Sequence, residues 1–459
     1  MNRPRWGQGI VLLIAALVAA PLYSHAAQPQ VPSLPSQLAG YVQYAITDLP
    51  NHYKTGPVAA TNNTPVTNPL TDAGATLGRV LFYDKRLSHS NGVACASCHR
   101  QQDAFSDPNQ FSQGVAGQTG RHSMGLSNSA YYSNGKAFWD ERAASLEAQA
   151  LVPIENAVEM GSTLSEVVTK LNATTFYPTL FQAAFGTTEI NPERIGKAIA
   201  QFERAMVTYN SKYDAVVNGQ QTFTPQETAG HGLFTGAGRC SSCHATDAHV
   251  SDGVHNIGLD ATNTDIGAGL GQFKSPSLRN VAVRDKFMHD GRFSSLEEVI
   301  QFYSTSVQNN ANLDPLLRTP GGQPLRLNLN PMQVGQIVAF LNTLTDQTFL
   351  TSSLFSDPFV TLPGDYTGDG IVNQADYDLW RSNFGDTTSL LADGNGNNVV
   401  DAGDYVVWRN NLGRTWLDLA TGAGSSLLTD SVPEPAGAAL AVIAALCGLT
   451  GRRPRRQRN

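Results

Sequence analysis

Two Cys-x-x-Cys-His strings constrain the fold of this chain more than any other feature of its sequence. They are Cys95-Ala-Ser-Cys98-His99 and Cys240-Ser-Ser-Cys243-His244, and they use four of the five cysteines. The two thiols of such a string lie one helical turn apart, so both can add to the vinyl groups of one porphyrin while the adjacent imidazole reaches the iron. The sequence therefore predicts two covalently attached hemes c. The predicted thioether positions are Cys95, Cys98, Cys240 and Cys243, and the predicted axial imidazoles are His99 and His244.

Zinc binding or thiol redox chemistry would explain these cysteines less well. Zinc would need four thiolates or added histidines close to each string, and a thioredoxin-like motif would not need a histidine in both copies. Disulfides are typical of exported proteins, but only Cys447 lies outside the two strings.

The N-terminus has the order of a signal peptide. Arg3 and Arg5 precede an apolar run from Ile10 to Ala20, and small residues surround Ala26. A permanent membrane anchor is the alternative, but that run is shorter than the roughly 20 residues that a span needs. We expect a signal peptide over residues 1–26, a polar linker over 27–67, and an exported chain in the periplasm or at the cell envelope or surface. The formal net charge of −7 offers no extended basic surface for nucleic acid.

Helical periodicity surrounds both strings, and strand-like alternation is scarce. Residues 77–84 and 230–236 read as short helices that end in a turn before each string. Apolar residues recur at three-and-four spacing over 145–151, 164–171, 192–207, 295–303 and 331–344. The sequence predicts a mainly α fold with two cytochrome c-like heme domains, at 68–225 and 226–350.

Five further strings stand in a fixed order along the chain. They are Leu77-Gly-Arg-Val-Leu-Phe-Tyr-Asp84, Phe138-Trp-Asp-Glu-Arg-Ala-Ala144, Pro153-Ile-Glu-Asn-Ala-Val-Glu-Met160, Ser275-Pro-Ser-Leu-Arg-Asn280 and Met288-His-Asp-Gly291. With them, residues 68–350 resemble the bacterial diheme cytochrome c peroxidase and MauG family. The resemblance implies that the N-terminal heme reacts with hydrogen peroxide, while the C-terminal heme stores and relays electrons from a small cytochrome c or cupredoxin.

The same resemblance implies roles for three side chains near the first heme. Glu159 matches the acid-base residue of the family, and its alternative is an exposed carboxylate near a helix start. Gln149, together with Pro153, matches the lining of the peroxide pocket. Trp139 matches the tryptophan between the two hemes, and its alternative is core packing.

Two features near the first heme depart from the family pattern. Relatives that need reductive activation carry a displaceable histidine in the loop after the first heme string, but residues 103–120 contain neither His nor Met. We therefore expect a five-coordinate first heme that is active without prior reduction. His122 aligns with an asparagine that helps to hold a calcium between the hemes of relatives, so the sequence gives that calcium no support.

The sixth ligand of the second heme is predicted to be Tyr303, as in MauG-type members. A phenolate favours Fe(III) and should lower the reduction potential. The alternatives are an open iron with Tyr303 packed nearby, or Met288 as the ligand. Arg79, Arg279 and Arg292 are candidates for heme propionates or for the surface.

A repeat rich in Gly, Asp and Asn begins at Gly364 and again at Ala392, and each copy ends in Trp-Arg. Its oxygen side chains follow EF-hand calcium spacing and resemble a type I dockerin over residues 364–415, with a cohesin-like partner and calcium implied. A flexible spacer is the alternative. The predicted calcium ligands are Asp365, Thr367, Asp369, Asn373 and Asp376 in the first loop, and Asp393, Asn395, Asn397, Asp401 and Asp404 in the second.

The C-terminus resembles a PEP-CTERM sorting signal over residues 432–459. Val432-Pro-Glu-Pro435 is followed by an apolar run and then by a basic string from Arg452. This order implies transient membrane association before cleavage, and a plain tail anchor is the alternative.

Peroxide reduction to water is the function that the sequence favours. MauG-like oxidation of a protein side chain is a second enzymatic hypothesis. A third, from another class, is an electron-transfer cytochrome without catalysis, or a redox module displayed on a surface by the calcium repeat.

Overall fold

The computed structural model describes residues 30–34, 44, 49–250 and 253–420. The predicted signal peptide, the predicted sorting signal and Cys447 lie outside these residues. Within them, no helix has both the length and the apolar composition to cross a membrane. The described residues form two compact units: a larger one from 30–362, 368–371 and 414–420, and a smaller one from 363–367 and 372–413.

The fold is mainly helical, as the sequence predicts. In chain order the helices are α1 (Asn51–Lys54), α2 (Gly56–Ala60), α3 (Asp72–Tyr83), α4 (Cys95–Cys98), α5 (Leu146–Gln149), α6 (Val152–Glu155), α7 (Leu164–Asn172), α8 (Phe176–Phe185), α9 (Pro192–Ala205), α10 (Lys212–Val217), α11 (Pro225–Thr235), α12 (Leu296–Gln301), α13 (Pro331–Asn342), α14 (Gln347–Thr351), α15 (Gln374–Ser382), α16 (Ala402–Asn411) and α17 (Trp416–Ala420). The smaller unit contains α15 and α16, and the larger unit contains the others.

Strands are short and pair only in twos within the described residues. They are β1 (Gln30–Pro32), β2 (Gln113–Gly114), β3 (Gly117–Gln118), β4 (Val254–His255), β5 (Phe273–Lys274) and β6 (Phe359–Thr361). The antiparallel pairs are β1 with β6, β2 with β3, and β4 with β5. In the first pair Val31 lies opposite Val360, which joins the two ends of the larger unit.

Local sequence sets the starts of the long helices. The side chains of Asn191, Thr224 and Asn330 accept hydrogen bonds from backbone N–H groups in the first turns of α9, α11 and α13. A proline stands near the first position of each of these helices, where its missing N–H is not needed. Each cap stabilises its helix by roughly 1 kcal/mol.

The same helix crossing occurs before both heme strings. Helix α3 packs against α9 at Gly78, where an added Cβ would lie 1.9 Å from the carbonyl oxygen of Ala198. Helix α11 packs against α13 at Gly230, where an added Cβ would lie 1.9 Å from the carbonyl oxygen of Gln336. In both places only glycine lets the helix backbones approach this closely. The helix that precedes each heme string is therefore packed tightly against a second helix.

An aromatic core surrounds each crossing. Near the first, Phe82 packs edge-on against Phe105 and Phe202, with ring centroids 5.9 and 5.3 Å apart. Near the second, Phe340 lies 5.0 Å from Phe234 and 6.0 Å from Tyr213. These two clusters support two similar helical halves within the larger unit, while the boundary at 225/226 stays a prediction.

The predicted linker over 27–67 is wrong for residues 49–67, because this stretch packs onto the larger unit. Tyr53 and Val58, in α1 and α2, are buried. The hydroxyl of Tyr53 donates to the carbonyl oxygen of Thr208 at 3.0 Å, and the amide of Asn63 donates to Ser129 and Tyr132 carbonyls at 2.8 and 2.9 Å. The buried side chains of Tyr53 and Val58 thus pack this mostly polar stretch against the rest of the larger unit.

Two predicted helices are interrupted in the structure. The stretch 145–151 forms only the single turn α5, and a second turn, α6, begins at Val152 with Pro153 near its start. The stretch 295–303 begins as α12 and changes to a π-helical turn, Phe302–Ser306, at its end. Both interruptions lie at residues that the sequence predicts to be functional, as π-helical turns often do.

The smaller unit consists of two loop-helix copies that hold each other. The indole N–H of Trp408 donates to the carbonyl oxygen of Asn373, and that of Trp380 donates to Asp401, both at 2.8 Å. The hydroxyl of Tyr366 donates to the carbonyl oxygen of Asp404 at 2.7 Å. These exchanges between copies are inconsistent with a flexible spacer.

Candidate functional site

Two cavities in the larger unit contain most of the residues predicted to hold the hemes or to act on peroxide. The first cavity is lined by His99, Gln149, Pro153, Glu159 and Trp139, among others. The second cavity is lined by Cys240, Cys243, His244, Met288 and Tyr303, among others. Cys95 and Cys98 form the ends of the one-turn helix α4, directly before His99.

His99 is oriented by a backbone hydrogen bond. Its Nδ1 lies 2.8 Å from the carbonyl oxygen of Phe105, so the ring N–H at Nδ1 donates and Nε2 is left as the basic nitrogen. Burial lowers the pKa of His99, which keeps the imidazole neutral. A neutral imidazole held in this way is the ligand that a heme iron requires.

The thiols of both strings fit covalent attachment better than redox chemistry. Burial raises the pKa of Cys98 and Cys243 to about 11 and that of Cys240 to about 12, and it also raises the pKa of Cys95. A redox-active cysteine needs a lowered pKa, because the thiolate is the reactive form. All four thiols are free of disulfides.

The backbone of Glu159 is held by the Asn156 side chain and by the β2–β3 hairpin. The Asn156 Oδ1 accepts hydrogen bonds from the backbone N–H groups of Val158 and Glu159, at 2.9 and 3.2 Å. The β2–β3 hairpin lies behind it, where Val115 N–H donates to the Glu159 carbonyl oxygen at 3.0 Å. Burial raises the pKa of the Glu159 carboxyl, although Arg142 opposes this effect. A carboxyl with a raised pKa can hold and release a proton in a cavity.

The loop over residues 103–120, which follows the first heme string, packs against Glu159. It contains the β2–β3 hairpin, and an added Cβ at Gly114 would lie 2.0 Å from the carbonyl oxygen of Val158. The glycine therefore lets the hairpin pack tightly behind the carboxyl.

Gln149 and Pro153 stand at the break between α5 and α6, on the wall of the first cavity. The Ser145 side chain caps α5. The Gln149 Oε1 atom is shielded from solvent and has no hydrogen-bond partner within the described part of the chain. An unpaired buried amide oxygen costs about 1–3 kcal/mol, so the cavity fits a bound molecule that can pair with it.

Trp139 lines both cavities. Its indole N–H donates to the carbonyl oxygen of His122 at 2.8 Å, and its own carbonyl oxygen accepts from Lys274 N–H at 2.8 Å. The indole therefore stands in the wall between the two cavities.

His122 is buried in the same wall, with both ring nitrogens close to other polar atoms. Its Nε2 lies 3.1 Å from the hydroxyl of Ser106, and its Nδ1 lies 3.2 Å from the Asn109 carbonyl oxygen and 3.3 Å from that of Gln110. Burial lowers its pKa. His122 is thus occupied as a structural residue.

The second cavity surrounds the buried imidazole of His244. Burial lowers the pKa of His244 to about 4, and the backbone groups of His249 and Pro276 oppose this effect. Tyr303 lines this cavity from the π-helical turn, and burial and the nearby thiols of Cys243 and Cys240 raise its pKa. Met288 lines the same cavity from a left-handed backbone position, with φ of 72°.

Three charged residues at the cavities escaped the sequence analysis. Glu203 is 4% exposed, lines the first cavity and has a pKa raised to about 8 by burial. Lys274 is 9% exposed, lines both cavities and has a pKa lowered to about 7 by burial. Arg284 lines the second cavity. One signal was available, because Glu203 follows Ile199 by one turn on the apolar face of α9.

The three arginines considered for heme propionates have other partners. The buried Arg279 forms an ion pair with Asp214 at 2.7 Å. Arg292 pairs with Asp260 at 2.9 Å, and Arg79 donates to the carbonyl oxygen of Ser356 at 2.7 Å. None of the three arginines lines either of the two cavities found in the described residues.

The loops of the smaller unit use their last carboxylates internally. Asp376 accepts from the backbone N–H groups of Thr367 and Asn373, at 2.9 and 2.8 Å. Asp404 does the same for Asn395 and Asp401, at 3.0 and 2.7 Å. The remaining predicted calcium ligands are the exposed Asn397, the buried Asp365 and Asp393, and Asp369, whose Oδ1 accepts from Ile371 N–H at 2.8 Å. Across the described chain, no three His, Cys, Asp or Glu side chains come together as a metal site.

Comparison with known proteins matches the larger unit. The profile of the family described as di-haem cytochrome c peroxidase matches residues 72–222 and 234–319. The methylamine utilization protein MauG of Methylophilus methylotrophus is 32% identical over 292 residues, which cover 61% of this chain and 84% of that protein. The cytochrome c551 peroxidase of Nitrosomonas europaea is 34% identical over 288 residues, covering 59% and 79%. The crystal structure of a MauG-like protein associated with microbial copper homeostasis has a TM-score of 0.61 and 32% identity, covering 68% of this chain and 99% of that one.

Proposed function

The chain belongs to the di-haem cytochrome c peroxidase family and is an oxidoreductase, and from that premise we propose that it reduces hydrogen peroxide to water at the first cavity. The net reaction takes two electrons from a small cytochrome c or cupredoxin and two protons from solution, and it yields two water molecules. When bound, the two hemes supply the iron that cleaves the O–O bond and the iron that stores an electron.

The observation that carries this proposal is the convergence of Glu159, Gln149 and His99 on one cavity. The Glu159 carboxyl, whose pKa burial raises, can take a proton from one peroxide oxygen and give it to the other. The unpaired Oε1 of Gln149 can accept a hydrogen bond from peroxide and so orient it. When a heme is bound, His99 would ligate its iron.

Electron supply is proposed to pass through Trp139. Its position on the walls of both cavities supports this role, because an indole can mediate transfer across a gap too wide for direct contact. Its two hydrogen bonds, to His122 and from Lys274, keep the ring in place.

Peroxide turnover by Glu159→Gln tests the acid-base role. With a reduced cytochrome donor, we expect turnover to fall by roughly 10²–10⁴, the usual contribution of a positioned acid-base group. Glu155→Gln is the matched control, because Glu155 is an exposed carboxylate four residues away that does not line the described cavities. Equal rates for Glu159→Gln and the wild type would remove the acid-base role, and a wild type without turnover would leave an electron carrier.

Tyr303 is proposed as the sixth ligand of the second heme. Its place in the second cavity and its proximity to the Cys243 and Cys240 thiols support this assignment. Tyr303→Phe should convert the second heme from low-spin to high-spin in the absorption and EPR spectra. An unchanged low-spin signal would instead favour Met288.

A five-coordinate first heme is proposed alongside it. The absence of His and Met from residues 103–120 and the occupied ring of His122 support it. The oxidised protein should show a high-spin ferric signal before any reduction, and a wholly low-spin spectrum would contradict it.

MauG-like oxidation of a protein side chain is a second candidate function, favoured by Tyr303 and by relatives named MauG. It predicts that peroxide alone, without a donor, produces a long-lived oxidised state of the protein that a protein substrate discharges. Rapid return to the ferric state without substrate would argue against it.

We further propose that the chain is exported and that its smaller unit binds calcium and a cohesin-like partner. The oxygen spacing of the two loops supports calcium binding, and the basic C-terminal string supports a transient membrane association. Mass spectrometry of the mature protein from its host tests export: cleavage near residue 26 would support it, and an intact N-terminus would overturn it.

A further inference from the structure

A guanidinium without an acidic partner faces the second cavity. Arg284 follows the 3₁₀ turn Val281–Val283 and lines that cavity. Its Nη2 donates to the carbonyl oxygens of Ser277 and Arg279, at 3.2 and 3.1 Å. Its Nε is shielded from solvent and has no hydrogen-bond partner within the described part of the chain.

Other enclosed arginines of the described residues differ from Arg284. Arg279 pairs with Asp214 at 2.7 Å, Arg204 with Glu147 at 2.6 Å, and Arg121 with Asp265 at 2.7 Å. For Arg284, burial lowers the pKa to about 10, and no carboxylate among the described residues offsets the effect. A buried charge is retained in a protein only when an anion or a set of dipoles compensates it.

The opposite wall is shaped for this guanidinium. An added Cβ at Gly125 would lie 2.6 Å from Cζ and 2.7 Å from Nη2 of Arg284. Any side chain at position 125 would therefore push the guanidinium away. The Arg284 guanidinium is thus packed closely against Gly125, and an anion bound inside the cavity would balance its charge.

The cavity also carries the residues predicted to bind the second heme. Cys240, Cys243 and His244 line it together with Arg284. A heme c brings two propionate carboxylates, and a guanidinium fork matches a carboxylate with two parallel hydrogen bonds.

We propose that Arg284 binds a propionate of the second heme through its Nε and its remaining N–H groups. This inference rests on the proposed second heme and deepens that site, since it assigns a positioning residue that sets the reduction potential. A positive charge beside the porphyrin disfavours the additional charge of Fe(III), so Arg284 raises the potential of this heme. It therefore opposes the effect of a Tyr303 phenolate in the same cavity.

The test compares reduction potentials of the two hemes in the purified diheme protein. The variants are Arg284→Gln, which removes the charge, and Arg284→Lys, which keeps it. Arg292→Gln is the matched control, because Arg292 pairs with Asp260 and Asp290 and does not line the described cavities. Heme content is measured for each variant, and spectroelectrochemical titration follows each heme separately.

We expect Arg284→Gln to lower the potential of the second heme while the first heme stays unchanged. Arg284→Lys should retain most of the wild-type potential, and Arg292→Gln should leave both hemes unchanged. An unchanged second heme in Arg284→Gln, or equal shifts of both hemes, would overturn the proposal.

A second measurement needs no variant. Resonance Raman spectra of the wild type report hydrogen bonding of propionates through their bending modes, and we expect a strongly hydrogen-bonded propionate on the second heme. Bands typical of solvent-exposed propionates alone would overturn the proposal even if Arg284→Gln did not fold. Neither readout depends on peroxide turnover, so failure of the proposed peroxidase activity would not be mistaken for failure of this inference.

Discussion

At the scale of single residues, the cavities are distinguished by charged groups whose burial changes their protonation. Glu159 has a raised pKa in the first cavity, beside Gln149 with its unpaired oxygen. Glu203 has a pKa near 8 on the same wall, and Lys274 has a pKa near 7 in the wall shared with the second cavity. Glu203 and Lys274 can therefore change charge near neutral pH, which is what proton supply to peroxide requires.

Glu203→Gln should make the protein more resistant to unfolding at high pH. Burial raises the pKa of Glu203 from 4.5 to about 8, so its contribution to stability is complete below pH 4.5 and is lost as pH rises through 8. The variant cannot ionise at this position. Relative to the wild type, it should therefore gain on the order of 4 kcal/mol between pH 5 and pH 9.

Chemical denaturation of both proteins at pH 5 and pH 9 measures this difference. Burial depresses the pKa of Lys274, so its own effect on stability has the opposite sign, and the Glu203 charge opposes that depression in the wild type only. A wild-type and variant difference that does not change with pH would show that Glu203 is ionised in the folded state.

At the scale of elements, short irregular segments place the functional side chains and long helices hold the frame. Gln149 and Pro153 stand at the break between α5 and α6, Glu159 is backed by the β2–β3 hairpin, and Tyr303 lies in a π-helical turn. The long helices cross in two pairs, α3 with α9 at Gly78 and α11 with α13 at Gly230, and these crossings form the frame that carries the short segments.

Gly230→Ala should destabilise the second half of the larger unit by about 2–4 kcal/mol, because the new Cβ would collide with the carbonyl oxygen of Gln336. Gly232→Ala in the same helix is the control, since an added Cβ there meets nothing within 4 Å. That control should stabilise the protein by roughly 0.5–1 kcal/mol, as alanine restricts the unfolded chain. Thermal unfolding followed by circular dichroism compares them, and equal melting temperatures would mean that α11 and α13 do not cross this closely.

At the scale of the whole molecule, distant parts of the chain close the larger unit. Strand β1 pairs with β6, and α17 brings Trp416 against Phe176, with ring centroids 6.2 Å apart. The backbone N–H of Trp416 also donates to the carbonyl oxygen of Gly370 at 2.9 Å. The larger unit thus uses residues on both sides of the smaller one in the sequence.

A chain that ends at residue 362 should therefore melt at a lower temperature than one that ends at residue 420. The shorter chain lacks the segments 368–371 and 414–420. It therefore lacks Trp416, which is 4% exposed in the full chain and covers Phe176. Loss of one large aromatic contact of this kind costs about 3–5 kcal/mol. Differential scanning calorimetry measures the unfolding temperature of the larger unit in both chains. Identical unfolding temperatures would show that α17 does not stabilise the larger unit.

Calcium should raise the unfolding temperature of the smaller unit if its loops bind the ion. In the full chain, excess calcium should stabilise the corresponding transition by RT ln(1 + [L]/Kd), and chelation should reverse it. Magnesium is the control, because it demands a tighter octahedral site. An identical melting curve with calcium and with chelator would remove calcium from the proposed cofactors.

The sequence alone determined the features that depend on neighbouring residues. The spacing of Cys95, Cys98 and His99 predicts heme attachment, and the side chains of Asn191 and Thr224 cap the starts of α9 and α11. The family strings predict the roles of Glu159, Gln149 and Trp139. Each of these signals is local, because covalent spacing and capping act within a few residues.

Only the tertiary structure decided which distant groups meet and which remain unpaired. Arg279 and Arg284 lie in one stretch of chain, yet Arg279 reaches Asp214 while Arg284 faces the second cavity without a carboxylate. Glu203 and Lys274 acquire their shifted pKa values from burial that no local pattern shows. The reason is physical: the protonation and pairing of a side chain depend on what surrounds it in space, and that depends on the packing of the whole unit.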